Sequence, residues 1–149
     1  MSTKKTQKNY LYNGLGFPVL LKTVEFRLVG QKWLLKVDVK KVAEAVIKAL
    51  PSKPVGLTGA EIKFARTYFD LSKRKLAEEL NVSHTAVNKW EDADQEKAKM
   101  DSSMEILFRS YIKLKLKEEA DFSNFYRGLL DESKKFSEEV EPQPLEIAV

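Results

Sequence analysis

Residues 71–91 read LSKRKLAEELNVSHTAVNKWE, and the spacing of their apolar side chains decides the fold of the second half of the chain. Leu76, Ala77 and Leu80 fall on one face of a helix, and Val87 and Trp90 on one face of another. Ser72 and Ser83 each stand just before a periodic run, where a helix start calls for a capping hydroxyl. Asn81 occupies the turn position where Gly is usual, and Asn is the next most tolerant residue of left-handed backbone. The spacing predicts two short helices, Lys73 to Leu80 and His84 to about Glu91, joined by a turn of about three residues.

Once packing has claimed those positions, Ser83, His84, Thr85, Asn88 and Lys89 remain outward on the second helix. All are polar and all can hydrogen-bond to base edges or phosphates. Lys73, Arg74 and Lys75 open the preceding helix and add cations to an end that already favours phosphate. A polar, protruding helix with a basic collar is the footprint expected of a DNA reader. His84 is the only histidine and has no cysteine partner, so no nucleophile–base pair forms around it.

The stretch LTGAEIKFARTYFDLSKRKLAEELNVSHTAVNKWE, residues 57–91, resembles the Xre/Cro (λ-repressor-like) helix-turn-helix family. The resemblance implies that Ser83, His84, Thr85, Asn88 and Lys89 lie on the recognition helix that contacts operator DNA. Lys73 stands where that family commonly has a phosphate-holding glutamine. Over a narrower set of features, a strand-rich start, a Pro-containing linker and YNGLGFPVLLKTVEFR (residues 12–27), the chain resembles MqsA/YgiT-type antitoxins. It lacks the paired zinc-binding cysteines of that family, having none at all.

Outward from this core, the chain's 149 residues suit one compact domain or two very small ones. The formal charge of +4 permits a polyanionic partner without demanding one. Without cysteine and with one histidine, disulfides, thiolate chemistry and Cys- or His-rich metal sites are excluded, and no cofactor or metal is expected. No signal peptide or apolar run of membrane-spanning length stands out, and a cytoplasmic protein without membrane association is expected.

Residues 1–16 read as a flexible tail. Val24, Phe26 and Leu28 alternate with polar residues, and so do Trp33, Leu35 and Val37, around a turn at Gly30. This predicts a β-hairpin, roughly 19–29 with 32–38. Asp38 caps a helix whose inward face carries Val42, Val46, Ile47 and Leu50. Residues 17–50 form a small lobe, the hairpin being either packed on that helix or a partner-binding surface. PSKPVG, residues 51–56, reads as a linker. Residues 57–140 read as the all-α helix-turn-helix and dimerisation domain. Thr58 and Glu61 form a capping box, as do Ser102 and Glu105, and Asp121 caps the last helix. Met104, Leu107, Phe108, Tyr111 and Leu114 make one apolar stripe, and Phe122, Phe125, Tyr126, Leu129, Leu130 and Phe136 another. Their surplus suggests a homodimer. Arg109, Lys113, Lys115 and Lys117 read as a solvated basic face, and residues 141–149 as a flexible tail.

The expected fold class is therefore α+β. The expected function is a non-enzymatic, dimeric repressor of double-stranded operator DNA, autoregulating a toxin–antitoxin or mobile-element operon. The alternative is an interaction module that neutralises a cognate toxin protein through the N-terminal lobe.

Overall fold

The computed structural model describes residues 2–116, 122–137 and 141–148. The fold is mixed α+β, a four-stranded sheet and six helices among these residues. In chain order it runs β1 (Lys4–Tyr12), β2 (Val19–Val29), β3 (Lys32–Lys36), α1 (Val39–Ala49), a 3₁₀ turn (Leu50–Ser52), α2 (Gly59–Tyr68), α3 (Lys73–Leu80), α4 (His84–Asp92), α5 (Ser102–Lys115), α6 (Phe122–Ser137) and β4 (Leu145–Ile147). Among the described residues no helix is long and apolar enough to cross a membrane.

The chain divides into two units. The first comprises residues up to Val46 together with those from Pro144 onward, and the second runs from Ile47 to Gln143. In the first unit β2 is central. The expected hairpin forms, with Val29 paired to Lys32 and Gly30 at φ 64° in the turn. Its alternation carries the register: Phe26 opposes Leu35 and Leu28 opposes Trp33. β1 pairs antiparallel along β2 from Lys4–Arg27 to Tyr12–Val19, so residues 4–12 are a strand and not the start of a tail. β4 pairs parallel with residues 19–21 of β2. Since β1 fills one edge of β2, β3 and β4 share the other, and residues 145–147 complete the sheet where a tail was expected. The two departures have different causes: Lys4 to Asn9 are all exposed, so β1 shows no apolar alternation, whereas β4 does alternate, Leu145 and Ile147 buried around exposed Glu146, but over only three residues. Phe17, Val19, Leu21, Val24, Val42, Val46, Leu145 and Ile147 are the buried apolar residues of this unit. Asp38 caps α1 as expected, its Oδ1 accepting from the Lys41 N–H at 3.3 Å.

The second unit is helical. Thr58 caps α2 in the expected box: its hydroxyl accepts from the Glu61 N–H at 3.2 Å, and Glu61 Oε1 accepts from the Thr58 N–H at 2.8 Å. Gly59 is required by close approach, since a Cβ there would lie 2.5 Å from the Trp90 carbonyl oxygen and 2.6 Å from the Asp94 nitrogen. α5 is capped by Asp101, whose side chain accepts from Met104 N–H, rather than by Ser102. The expected partner in the Ser102 box, Glu105, is instead fully buried. Ile106 of α5 packs with Leu129, Phe136 and the partly buried Phe125 of α6. The expected cap Asp121 and the basic Lys117 lie outside the described residues.

The largest departure concerns residues 51–56. Pro51, Lys53 and Gly56 are buried, so this segment is not a free linker. Arg109, expected on a solvated face, has no exposed surface. Its guanidinium donates to the carbonyls of Pro51, Lys53 and Val55, and to Glu105 Oε2 at 2.8 Å. The Phe136 ring stacks over it at 3.9 Å. Glu105 Oε1 accepts from the Leu57 N–H at 3.4 Å. Lys53 Nζ donates to both carboxylate oxygens of Glu61, at 2.8 and 2.9 Å, with both side chains buried.

Arg109→Met should destabilise the chain by about 3–5 kcal/mol, since it strands the buried Glu105. Adding Glu105→Leu removes that charge but leaves three carbonyls without their donor. The double variant should therefore stay well below wild type in urea denaturation. A double variant as stable as wild type would show that the carbonyls contribute nothing.

Candidate nucleic-acid interface

α3 and α4 meet through their apolar faces. Leu76, Ala77, Leu80, Val87 and Trp90 are all buried, with Val87 fully so. The turn between them runs through Asn81, at φ 55° and ψ 47°, the left-handed conformation expected for that position. Asn81 closes α3, its N–H donating to the Glu78 carbonyl, while the Val82 N–H donates to that of Ala77. Ser72 caps α3 through Lys75 N–H and Ser83 caps α4 through Ala86 N–H, at 3.0 and 3.1 Å.

The orientation of α4 against α2 is fixed by an ion pair that sequence reasoning missed. Arg66 Nε donates to Glu91 Oε2 at 2.7 Å and its Nη2 to Glu91 Oε1 at 3.1 Å. The remaining Nη1 donates to the Leu71 carbonyl at 2.8 Å, in the connection between α2 and α3. One planar fork thus ties together three segments. The only sequence signal was Glu91 continuing the inward row of Val87 and Trp90; its partner lies 25 residues away. The charged stretch after α4 is also fastened: Asp94 takes φ 50°, and its carbonyl and that of Glu96 accept from Ala60 and Gly59 N–H.

With α4 held this way, the positions singled out in the sequence take their places. Ser83, His84, Thr85 and Lys89 are exposed, and Asn88 is half-buried. His84 Nδ1 and Asn88 Nδ2 lie 3.5 Å apart, one helical turn along the same face. Thr85 and Lys89 follow as the adjacent row by the same spacing. The Ser83 oxygen serves the cap, which leaves its O–H to donate outward. Lys73 is half-buried and Arg74 and Lys75 are exposed, in a first turn that contains no acid. Lys75 and Glu78 make a loose exposed pair at 3.9 Å. Glu78 and Glu79 are exposed on the same helix, so the cationic collar is confined to its N-terminal turn.

The charge balance here is even. Residues 57–100 hold eight Lys and Arg and eight Asp and Glu. Whatever attraction this unit has for phosphate comes from placement, not from net charge.

The chain matches no protein-family model, no curated protein and no solved structure.

Asn81→Val should cost about 1–2 kcal/mol, because a β-branched side chain is strained in left-handed backbone. Asn81→Gly should fall within a few tenths of a kcal/mol of wild type. Thermal or denaturant melts of the two variants check this; equal stabilities would contradict the left-handed turn.

Proposed function

We propose that the protein is a sequence-specific, dimeric DNA-binding repressor, with α4 as the element that enters the major groove. The observation that carries the reading is the surface of α4. Its apolar side is locked by Val87, Trp90 and the Arg66–Glu91 fork, while His84, Thr85, Asn88 and Lys89 are left on the outer side. A rigidly held helix with four adjacent polar side chains of mixed donor and acceptor character suits base-edge recognition. Lys73, Arg74 and Lys75 would hold the backbone and set register, with the Ser83 hydroxyl beside them.

The dimer is supported by apolar residues that the helical unit leaves exposed. Leu107 and Leu114 lie two turns apart on α5, and Tyr126 and Leu130 one turn apart on α6. A two-fold pairing of these helices would bury them and present two copies of α4 to a palindromic site. Occupancy of such a site blocks polymerase. On this reading the protein works on cytoplasmic DNA, and its own upstream region, in a toxin–antitoxin or mobile-element operon, is the first operator to footprint.

His84→Ala and Asn88→Ala should each lower operator affinity by about 1–3 kcal/mol while leaving random duplex binding unchanged. Lys73→Ala should weaken all sequences alike and flatten the salt slope by about one. Equal loss on operator and random DNA for His84→Ala would remove it from base recognition.

Leu107→Glu combined with Leu130→Glu should yield a monomer in sedimentation velocity at micromolar concentration. Wild type should sediment as a dimer and protect half-sites about one or two helical turns apart. A monomeric wild type, on or off DNA, would sink the dimeric reading.

A further inference from the structure

The charges of this chain are segregated. Residues 1–36 hold seven of its 26 Lys and Arg but one of its 22 Asp and Glu. The remainder, with nineteen cations and twenty-one anions, is slightly acidic. The chain's net positive charge therefore resides in β1, β2 and β3.

The strand registers sort these cations onto faces. Lys4 opposes Arg27, which opposes Leu34; Thr6 opposes Glu25, which opposes Lys36; Lys8 opposes Thr23 and Val29 opposes Lys32. One face of the sheet thus carries Lys4, Lys8, Arg27, Lys32 and Lys36 around a single carboxylate, and all five cations are exposed. Glu25 is shared by Lys4, Arg27 and Lys36 at 3.8, 3.9 and 3.7 Å. Exposed pairs at such distances consume little of any one charge. Lys5 points the other way, over the rings of Trp33 at 4.6 Å and Phe26 at 5.6 Å, with Tyr10 edge-on to Phe26. That aromatic cluster fastens β1 to the hairpin on the face opposite the five cations.

Lysines on an edge strand commonly guard against strand-to-strand aggregation. That accounts for Lys4 and Lys8 on β1 and for Lys32 and Lys36 on β3, but not for Arg27, which lies on the central strand. Like charges directly opposite one another, as Lys4 and Arg27 are, also weaken a sheet. Folding alone does not call for a cation at position 27 facing Lys4.

We propose that this cationic sheet face binds the phosphate backbone of duplex DNA, as a second contact surface separate from α4. Charge complementarity selects the occupant, because the helix-turn-helix stretch is neutral overall and cannot supply long-range attraction. Alternate residues of β1 rise about 6.8 Å, so Lys4, Thr6 and Lys8 place a row of donors along one line, as contact with successive phosphates of a DNA strand requires. The inference rests on DNA being the partner and is independent of which residues read bases.

The test uses the full chain and a random-sequence duplex, with affinity followed by fluorescence anisotropy between about 50 and 200 mM salt. Lys4→Gln, Lys8→Gln, Arg27→Gln and Lys36→Gln combined should weaken binding at least about tenfold. The salt slope should become shallower by about two to four, because each phosphate that a cation neutralises contributes roughly 0.9 to it. An equal charge removal elsewhere, Lys48→Gln, Lys63→Gln, Lys99→Gln and Lys135→Gln, should leave the slope nearly unchanged. Lys4→Arg, Lys8→Arg and Lys36→Arg combined should bind as wild type does. Equal loss in the two glutamine sets would reduce the effect to net charge and overturn the proposal, as would loss in the arginine set. Wild-type binding to poly-glutamate as strong as to DNA would point to an acidic protein partner and overturn it too. Failure of the base-reading role would appear as unchanged operator discrimination in His84→Ala, which leaves the random-duplex result standing.

Discussion

Arg109 directs its guanidinium at the carbonyls of Pro51, Lys53 and Val55 from the middle of α5, with Glu105 one turn earlier accepting from Leu57 N–H. The segment between α1 and α2 contains Pro51, Pro54 and Gly56 and, past its 3₁₀ turn, no regular structure to satisfy its backbone. Buried peptide groups must find partners, and here an ion pair supplies them in place of a ladder. Burial pushes the Glu105 carboxyl up and the Arg109 guanidinium down, and the opposite charge of each resists the shift in the other. A bare buried pair is often no better than a well-packed apolar one. The backbone groups that this pair satisfies change the balance.

From that point the order propagates through a short series of polar contacts. Lys53, whose carbonyl Arg109 holds, places its ammonium on Glu61. Glu61 in turn receives the Thr58 N–H and fixes the first turn of α2. At the far end of α2, Arg66 grips Glu91 of α4 and the Leu71 carbonyl. The orientation of α4 thus traces back to α5 through three buried or part-buried ion pairs, each with a backbone group among its partners. Gly59 permits the approach, since any Cβ there would collide with the backbone at the end of α4.

Which of these features the sequence displayed follows from how local each one is. The caps at Thr58, Ser72 and Ser83, the left-handed Asn81 and the inward rows of α3 and α4 depend on residues within four positions of one another, and all were legible. The hairpin was legible because half-burial writes an alternation into β2 and β3. β1 was not, since its residues 4–9 are all exposed and show no alternation; β4 alternates, but three residues are too few to announce a strand. Arg109 and Arg66 were unreadable for another reason: a buried arginine looks like a solvated one until its distant acceptors are known. The outer row of α4 was legible as what remained after packing had taken the other positions.

The two proposed surfaces divide affinity from discrimination. Phosphate contacts strengthen binding to every sequence equally, so they raise occupancy without improving choice. Base contacts act the other way, and they are sensitive to small shifts of the helix that makes them. Residues 57–100 carry eight charges of each sign, with Glu61 and Glu91 engaged in holding the fold. On the proposed reading the neutral stretch 57–100 would serve fit, while the sheet would supply attraction from residues whose positions tolerate imprecision.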